Sequence, residues 1–346
     1  AWQQQGEEVM SSADRIHSSM QRVYEKTEAV EGQLVERDLN RSVAKLISEA
    51  DSGYGGWGGG PKFPQVSHLR YLLRHWHRTG DLQSRDHVLL TCNKMMEAGI
   101  HDQLAGGFHR YAVDERWMIP HFEKMLYDQA QLLELYLDVW LATRDDRYRS
   151  VAEGIADYVT GEMQHHEGGF YSAQDAQSEG KEGKCFCWTL EQMAKLLNED
   201  ELVVAKEWFG VSEKGNFIDH SDPEPLEDLN VIHIAKPDWK LTDKQDQSLA
   251  SAIRKMRKAR DARVPAATDR KVLADWNGMM VASLARASHV LGQTSYLDAA
   301  VKAHAFVRAQ LWDGELLYHR WCDGERDSSQ QASSYLQMMA GSLGLY

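Results

Sequence analysis

Between Asp102 and Asp128 the chain reads DQLAGGFHRYAVDERWMIPHFEKMLYD, denser in ionisable, aromatic and glycine residues than core building requires. Imidazoles at His109 and His121 could take and return protons near neutral pH, with Asp128 or Asp175 as acidic or orienting partners. Two such groups on opposite faces of a substrate would serve proton transfer beside a carbonyl, the chemistry of a sugar epimerase. Glycosidic cleavage needs instead two carboxyls about 5–9 Å apart, one protonated and one ionised. Asp114, Asp128 and Asp175 are the carboxylates available for it.

The elements holding these residues can be read from local pattern. Pro120 suits the first turn of a helix running to about residue 143. A helical wheel then puts His121, Lys124 and Asp128 within about 60° of one another, above an apolar stripe through Met125 and Leu132. The plainer alternative is a Lys124–Asp128 pair on a solvated face, with His121 as a cap. Upstream, Gly106 to Trp117 reads as a glycine break, a short strand, a turn and a return strand, which sets His109, Arg110, Tyr111 and Asp114 on a hairpin leading to His121.

Three further clusters carry candidate chemistry. Gly55 to Pro64 presents Trp57, Lys62 and Phe63, an aromatic face beside a cation that suits a sugar or polyol. It lacks the GKS or GKT of a phosphate-binding loop, and its aromatics could equally plug the ends of neighbouring helices. Gly169 to Gly180 supplies Asp175 and Glu179, which otherwise read as part of a mobile acidic loop. Asp275-Trp276-Asn277-Gly278 opens a small-residue helix, where Asp275 anchors the N-terminus and Trp276 and Asn277 could face a cavity. There is no GxSxG elbow, catalytic Cys/His signature or HExxH, so no serine or cysteine nucleophile, metal or cofactor is expected. Cys92, Cys185, Cys187 and Cys322 are too scattered for a disulfide framework; Cys185 and Cys187 read as packing residues on one face of a strand.

Around these clusters, 346 residues with 42% hydrophobic content can bury a sizeable core. A net charge of −13, without a basic block, disfavours nucleic-acid and anionic-membrane partners electrostatically, so neither is expected. The lack of an apolar run of about 18 residues and of a leader-like start points to a cytoplasmic protein, or to one whose targeting segment has been removed. Periodicity predicts helices over 5–27, 36–50, 66–78, 82–99, 120–143, 146–164, 189–208, 244–260, 272–291, 295–311 and 331–346. A Gly-Gly-aromatic echo recurs at Gly55-Gly56-Trp57, Gly106-Gly107-Phe108 and Gly168-Gly169-Phe170, and weakly at Asp313-Gly314. Stacked helical hairpins with decorated loops fit that spacing, as a ring with the loops at its mouth or as an open solenoid; the long aromatic loops favour the ring. An irregular excursion is expected over about 210–243.

In order, PKFP, GGFHRYAVDERW, PHFEKMLYD, GGFYSAQDA and DWNG resemble the YyaL-like, spermatogenesis-associated protein 20 family. That resemblance implies a six-hairpin (α/α)6 toroid, all-α with short β-hairpins in the rim loops, related to N-acylglucosamine 2-epimerases and glycosidases. It also implies a thioredoxin-like domain as a partner in the full-length protein, with residues 1–30 as the connector after it and 31–346 as a partial toroid whose ring is unclosed. Carried across by motif, the characteristic positions are Lys62, His109, Arg110, Asp114, His121, Glu123, Lys124, Asp128, Asp175, Asp275, Trp276 and Asn277. A sugar-processing or sugar-binding toroid is the expectation, with His109, His121, Asp128 and Asp175 as catalytic residues and Trp57, Lys62, Arg110, Tyr111, Asp114, Lys124, Asp275, Trp276 and Asn277 as substrate contacts. The alternative is a non-catalytic interaction domain.

Overall fold

A computed structural model describes residues 2–25 and 35–346, which divide into two compact units, 1–45 and 46–346. The first holds α1 (Trp2–Glu25) and most of α2 (Glu36–Ser48), whose last turn enters the second. Residues 26–30 of the expected connector, and Ala1, lie outside the described residues.

In the second unit α3 (Val66–Thr79), α5 (Leu126–Thr143), α10 (Ala274–Leu291) and α12 (Ala332–Leu345) pack in succession as inner helices. Each of the first three is followed by an outer helix running back beside it: α4 (Leu82–Glu97), α6 (Asp146–Tyr158) and α11 (Thr294–Leu311). A π-turn over Val159–Met163 prolongs α6. This is the all-α toroid architecture of the six-hairpin type. Between the second and third hairpins stands an insertion of α7 (Leu190–Leu196), α8 (Glu199–Trp208) and α9 (Asp243–Asp261), packed around Trp188, Phe209 and Met256. The single helix expected over 189–208 is two, because Asn198 and Glu201 form a capping box that starts α8 afresh. No helix forms between Trp208 and Asp243.

Short strands decorate the loops before the inner helices. β1 (Tyr111–Ala112) pairs with β2 (Pro120–His121), and β3 (Lys124–Met125) with β4 (Ala173–Gln174), which also pairs with β7 (Thr268–Asp269). β5 (Gln177–Ser178) and β6 (Lys181–Glu182) form a hairpin; β8 (Val272–Leu273), β9 (Arg320–Cys322) and β10 (Glu325–Arg326) form a small sheet. The helix expected to begin at Pro120 therefore begins at Leu126. Pro120 and His121 are extended and pair with Ala112 and Tyr111, so His121 and Lys124 do not share a helical face with Asp128. Cys185 lies in a turn and Cys187 in the irregular segment just after it, not on a strand, and both are buried free thiols.

The glycine echo is a structural repeat. Each loop is closed by an isolated antiparallel bridge: Ala50–Trp57, His101–Phe108, Gln164–Phe170 and Trp312–Leu317. In the second loop Gly106 and Gly107 take positive φ angles of 76° and 73°, and a side chain on Gly106 would meet the Gly154 carbonyl at 2.3 Å, so only glycine lets the loop lie against α6.

Candidate functional site

The repeat explains several residues that had suggested ligand contacts. In the first loop Asp51 accepts the amides of Gly53 and Tyr54, and its carboxylate pairs with the fully buried Lys62. In the second loop Asp102 accepts the amides of Leu104 and Ala105 (both 3.0 Å) and pairs with the fully buried Lys124 (2.8 Å). Lys124 also donates to the Gly106 carbonyl (3.0 Å) and sits 4.0 Å from the Tyr158 ring. Arg260 of α9 completes the pair with two bonds to Asp102 (2.7 and 2.8 Å). Burial alone would raise the Asp102 carboxyl, but Arg260 and Lys124 hold it well below the usual carboxylate range. Lys62 and Lys124 are therefore internal struts with no face left for a substrate.

Asn277 belongs to the same framework. Its side-chain oxygen accepts the Phe170 amide (2.8 Å) and its nitrogen donates to the Phe170 carbonyl (3.0 Å). Gln129, the corresponding residue of α5, clamps Phe108 in the same way (2.8 and 2.7 Å). Trp57 is buried, its indole donating to the Leu46 carbonyl (2.8 Å), which corrects the sugar-platform expectation to helix-end packing. Asp114 is taken up by the amides of Arg116, Met118 and Ile119, which shape the β1–β2 loop. Asp275 accepts the Trp276 amide (2.9 Å) and the Ser333 hydroxyl (3.0 Å), binding the start of α10 to that of α12.

His109 is also internal. Its Nδ1 donates to the Phe122 carbonyl (2.9 Å), and the ring packs edge-on against Phe122 and Phe186. Burial, with Lys124 adding to it, pushes the imidazole down to about 3, so His109 is neutral at physiological pH. The pair of exposed acid/base histidines is thus reduced to His121.

What the structure does bring together, at the N-terminal end of α5, is Arg110, Tyr111, His121, Glu123, Tyr127, Asp128 and Trp276. His121 donates from Nδ1 to Glu182 of β6 (2.8 Å), stacks on Tyr111 with ring centroids 5.0 Å apart, and holds Nε2 3.8 Å from Glu123. The Glu182 hydrogen bond raises its pKa above the ordinary histidine value. Arg110 donates to Glu123 (2.8 Å), while its Nε is buried without a partner. Asp128 stands in the first turn of α5, and its buried Oδ2 likewise has no hydrogen-bond partner. Burial drives its carboxyl up to about 7; Arg110 opposes that shift and Glu123 adds to it. Tyr127 meets Trp276 of α10 at 4.8 Å, giving the cluster an aromatic wall. α5 and α10 start without side-chain caps.

Asp175 is exposed and accepts the Gln177 amide (3.0 Å). It follows the Lys124–Gln174 pair of the β3–β4 ladder, at the end where Glu123 lies. Glu182, absent from the sequence expectation, had a readable signal. Glu179-Gly180 is a two-residue turn with both φ angles positive, in which Gly180 is the sequence cue to a tight hairpin that carries Glu182 back to His121. Elsewhere among the described residues, His165, His166 and Glu167 in the third glycine loop could offer ligands to a metal, their ligand atoms lying within 4.8 Å of one another. Among the described residues no helix is long and apolar enough to cross a membrane.

The fold defines the class: a six-hairpin toroid, the architecture shared by glycosidases and epimerases. The GH76 α-mannanase of Bacteroides thetaiotaomicron superposes with a TM-score of 0.52 at 11% identity, over 91% of this chain and 66% of that one. An unsaturated glucuronyl hydrolase specific for heparin gives 0.52 at 11% identity, over 90% and 68%. In sequence, the chain matches the spermatogenesis-associated protein 20 family, as its motifs indicated. The human protein is 35% identical over 302 residues, 79% of this chain and 38% of the relative. An uncharacterized Caenorhabditis elegans protein is 32% identical over 350 residues, 91% of this chain and 46% of the relative. The chain thus spans less than half the length of these curated relatives. No family model matches it.

Proposed function

We propose that the cluster at the head of α5 is the acid/base centre of a carbohydrate-processing toroid, with glycosidase-like chemistry. One observation carries this reading: a buried carboxyl, Asp128, with an unbonded oxygen and a pKa near 7, beside the ionised pair Arg110–Glu123. A carboxyl still protonated near neutrality can protonate a departing glycosidic oxygen, while a neighbouring carboxylate acts as base or nucleophile. Glu123 fills that second role, Arg110 orients it, and the Tyr127–Trp276 wall stacks on a sugar ring. His121, its pKa raised by the Glu182 hydrogen bond, contacts hydroxyls or an acidic group of the substrate. The solved toroids named above are a mannanase and a glucuronyl hydrolase, which supports a glycoside as substrate. An epimerase working through His109 and His121 is disfavoured because His109 is enclosed.

The test is a panel of aryl glycosides and unsaturated uronides, with turnover measured for the wild type and for Asp128→Asn. Loss of one positioned proton donor lowers turnover about 10²–10⁴-fold. Wild-type turnover at background across the panel, or an Asp128→Asn protein as active as wild type, would reject the assignment. The first result would favour a binding or interaction role for the domain.

A further inference from the structure

Outside this cluster lies a cavity of about 450 Å³, bounded by the end of α4, the loop after it, α6 and the stretch around Ile234 and Pro237. Met96, Leu104, Val151, Trp208 and Ile234 give it apolar walls. Its size falls within the roughly 300–1,000 Å³ typical of small-molecule sites.

Two polar groups in its lining are not accounted for by the fold. Both ring nitrogens of His101 are buried and make no well-formed hydrogen bond, although the Met96 carbonyl and the Gln103 side chain are near. Burial pushes this imidazole down to about 4, so it is neutral and offers one donor and one acceptor. Arg257, half-buried on α9, makes no hydrogen bond or ion pair among the described residues. The other lining arginine, Arg147, is already engaged with Asp145 (2.7 Å). Glu97 and Asp157 also line the cavity, which disfavours a dianionic phosphate beside them.

We propose that this cavity is a second ligand site, for a small organic monoanion whose planar apolar body lies against Leu104, Val151 and Trp208 and whose carboxylate pairs with Arg257. His101 bonds polar atoms on the body. The site is independent of the cluster around Asp128 and stands whether or not that cluster is catalytic.

Isothermal titration with 2-naphthoate and its neutral analogue 2-naphthamide tests the proposal. One naphthoate should bind per chain and quench tryptophan fluorescence. Arg257→Gln, or use of the amide, should weaken binding about tenfold or more. Ser150→Trp, on the exposed rim of α6, should abolish binding while leaving the circular dichroism and thermal midpoint unchanged. Asp128→Asn should bind as wild type does. Absence of naphthoate binding in the millimolar range would overturn the site, as would equal affinity in the Arg257→Gln and Ser150→Trp proteins. Equal affinity for naphthoate and naphthamide would overturn the carboxylate–Arg257 pairing.

Discussion

Asp128 connects stability and activity in opposite senses. Its folded pKa of about 7 lies above the unfolded 3.8, so the folded chain binds this proton more tightly. The stability contribution is therefore fully present below pH about 4 and is lost as pH rises to about 7. Above that the buried carboxylate costs about 2–4 kcal/mol. Asp128→Asn should thus raise the unfolding free energy at pH 8 relative to wild type, measured by urea denaturation, while removing any acid-catalysed turnover. Unchanged stability at pH 8 would mean the carboxyl is better solvated than its orphaned oxygen indicates. Turnover that depends on protonated Asp128 should fall above pH about 7. At this scale the sequence pointed to His121 and Asp128 as candidates, and through the family motif to Glu123, but set His121 and Asp128 on a helical face they do not share. Proline at 120 carries the same signal for a first helical turn as for an edge strand, and pairing with Ala112 decides between them.

Among the elements, the Asp102–Lys124–Arg260 triad ties β3, the second glycine loop and α9 into one block. Removing one partner strands a buried charge, so Lys124→Met should lower stability by about 3–5 kcal/mol. Chemical denaturation at pH 7 measures it, and a loss below about 1 kcal/mol would show that Arg260 alone satisfies Asp102. Glycine spacing made the loop repeat legible, because each tight approach demands glycine at one position. The pairing of Lys62 with Asp51 and of Lys124 with Asp102 was not legible. The partners, 11 and 22 residues apart, meet across a loop rather than along one helix or strand, so a lysine that is a strut looks in sequence like a lysine that binds substrate.

Across the molecule, α3, α5 and α10 are joined by a square of charges in which Arg70 and Arg286 each bridge Glu134 and Asp138. α10 and α12 approach more closely: a side-chain carbon at Gly278 would sit 2.4 Å from the Gln337 backbone, and one at Gly341 2.9 Å from the Gly278 carbonyl. Gly278→Ala must push the two helices apart, and a loss of about 1–3 kcal/mol is expected in thermal or chemical melts. Wild-type stability in that variant would show the crossing to be looser. Helix periodicity, the glycine echo and the family motifs, all local or repeating signals, sufficed to establish an all-α toroid from the sequence. Which ionisable groups lie inside and which face a ligand was decided only by the tertiary structure, because burial and charge pairing depend on residues brought together from distant parts of the chain. His109 and His121, twelve residues apart, show the difference: one is enclosed by Phe122 and Phe186 and neutral, the other half-exposed with its pKa raised by the Glu182 hydrogen bond.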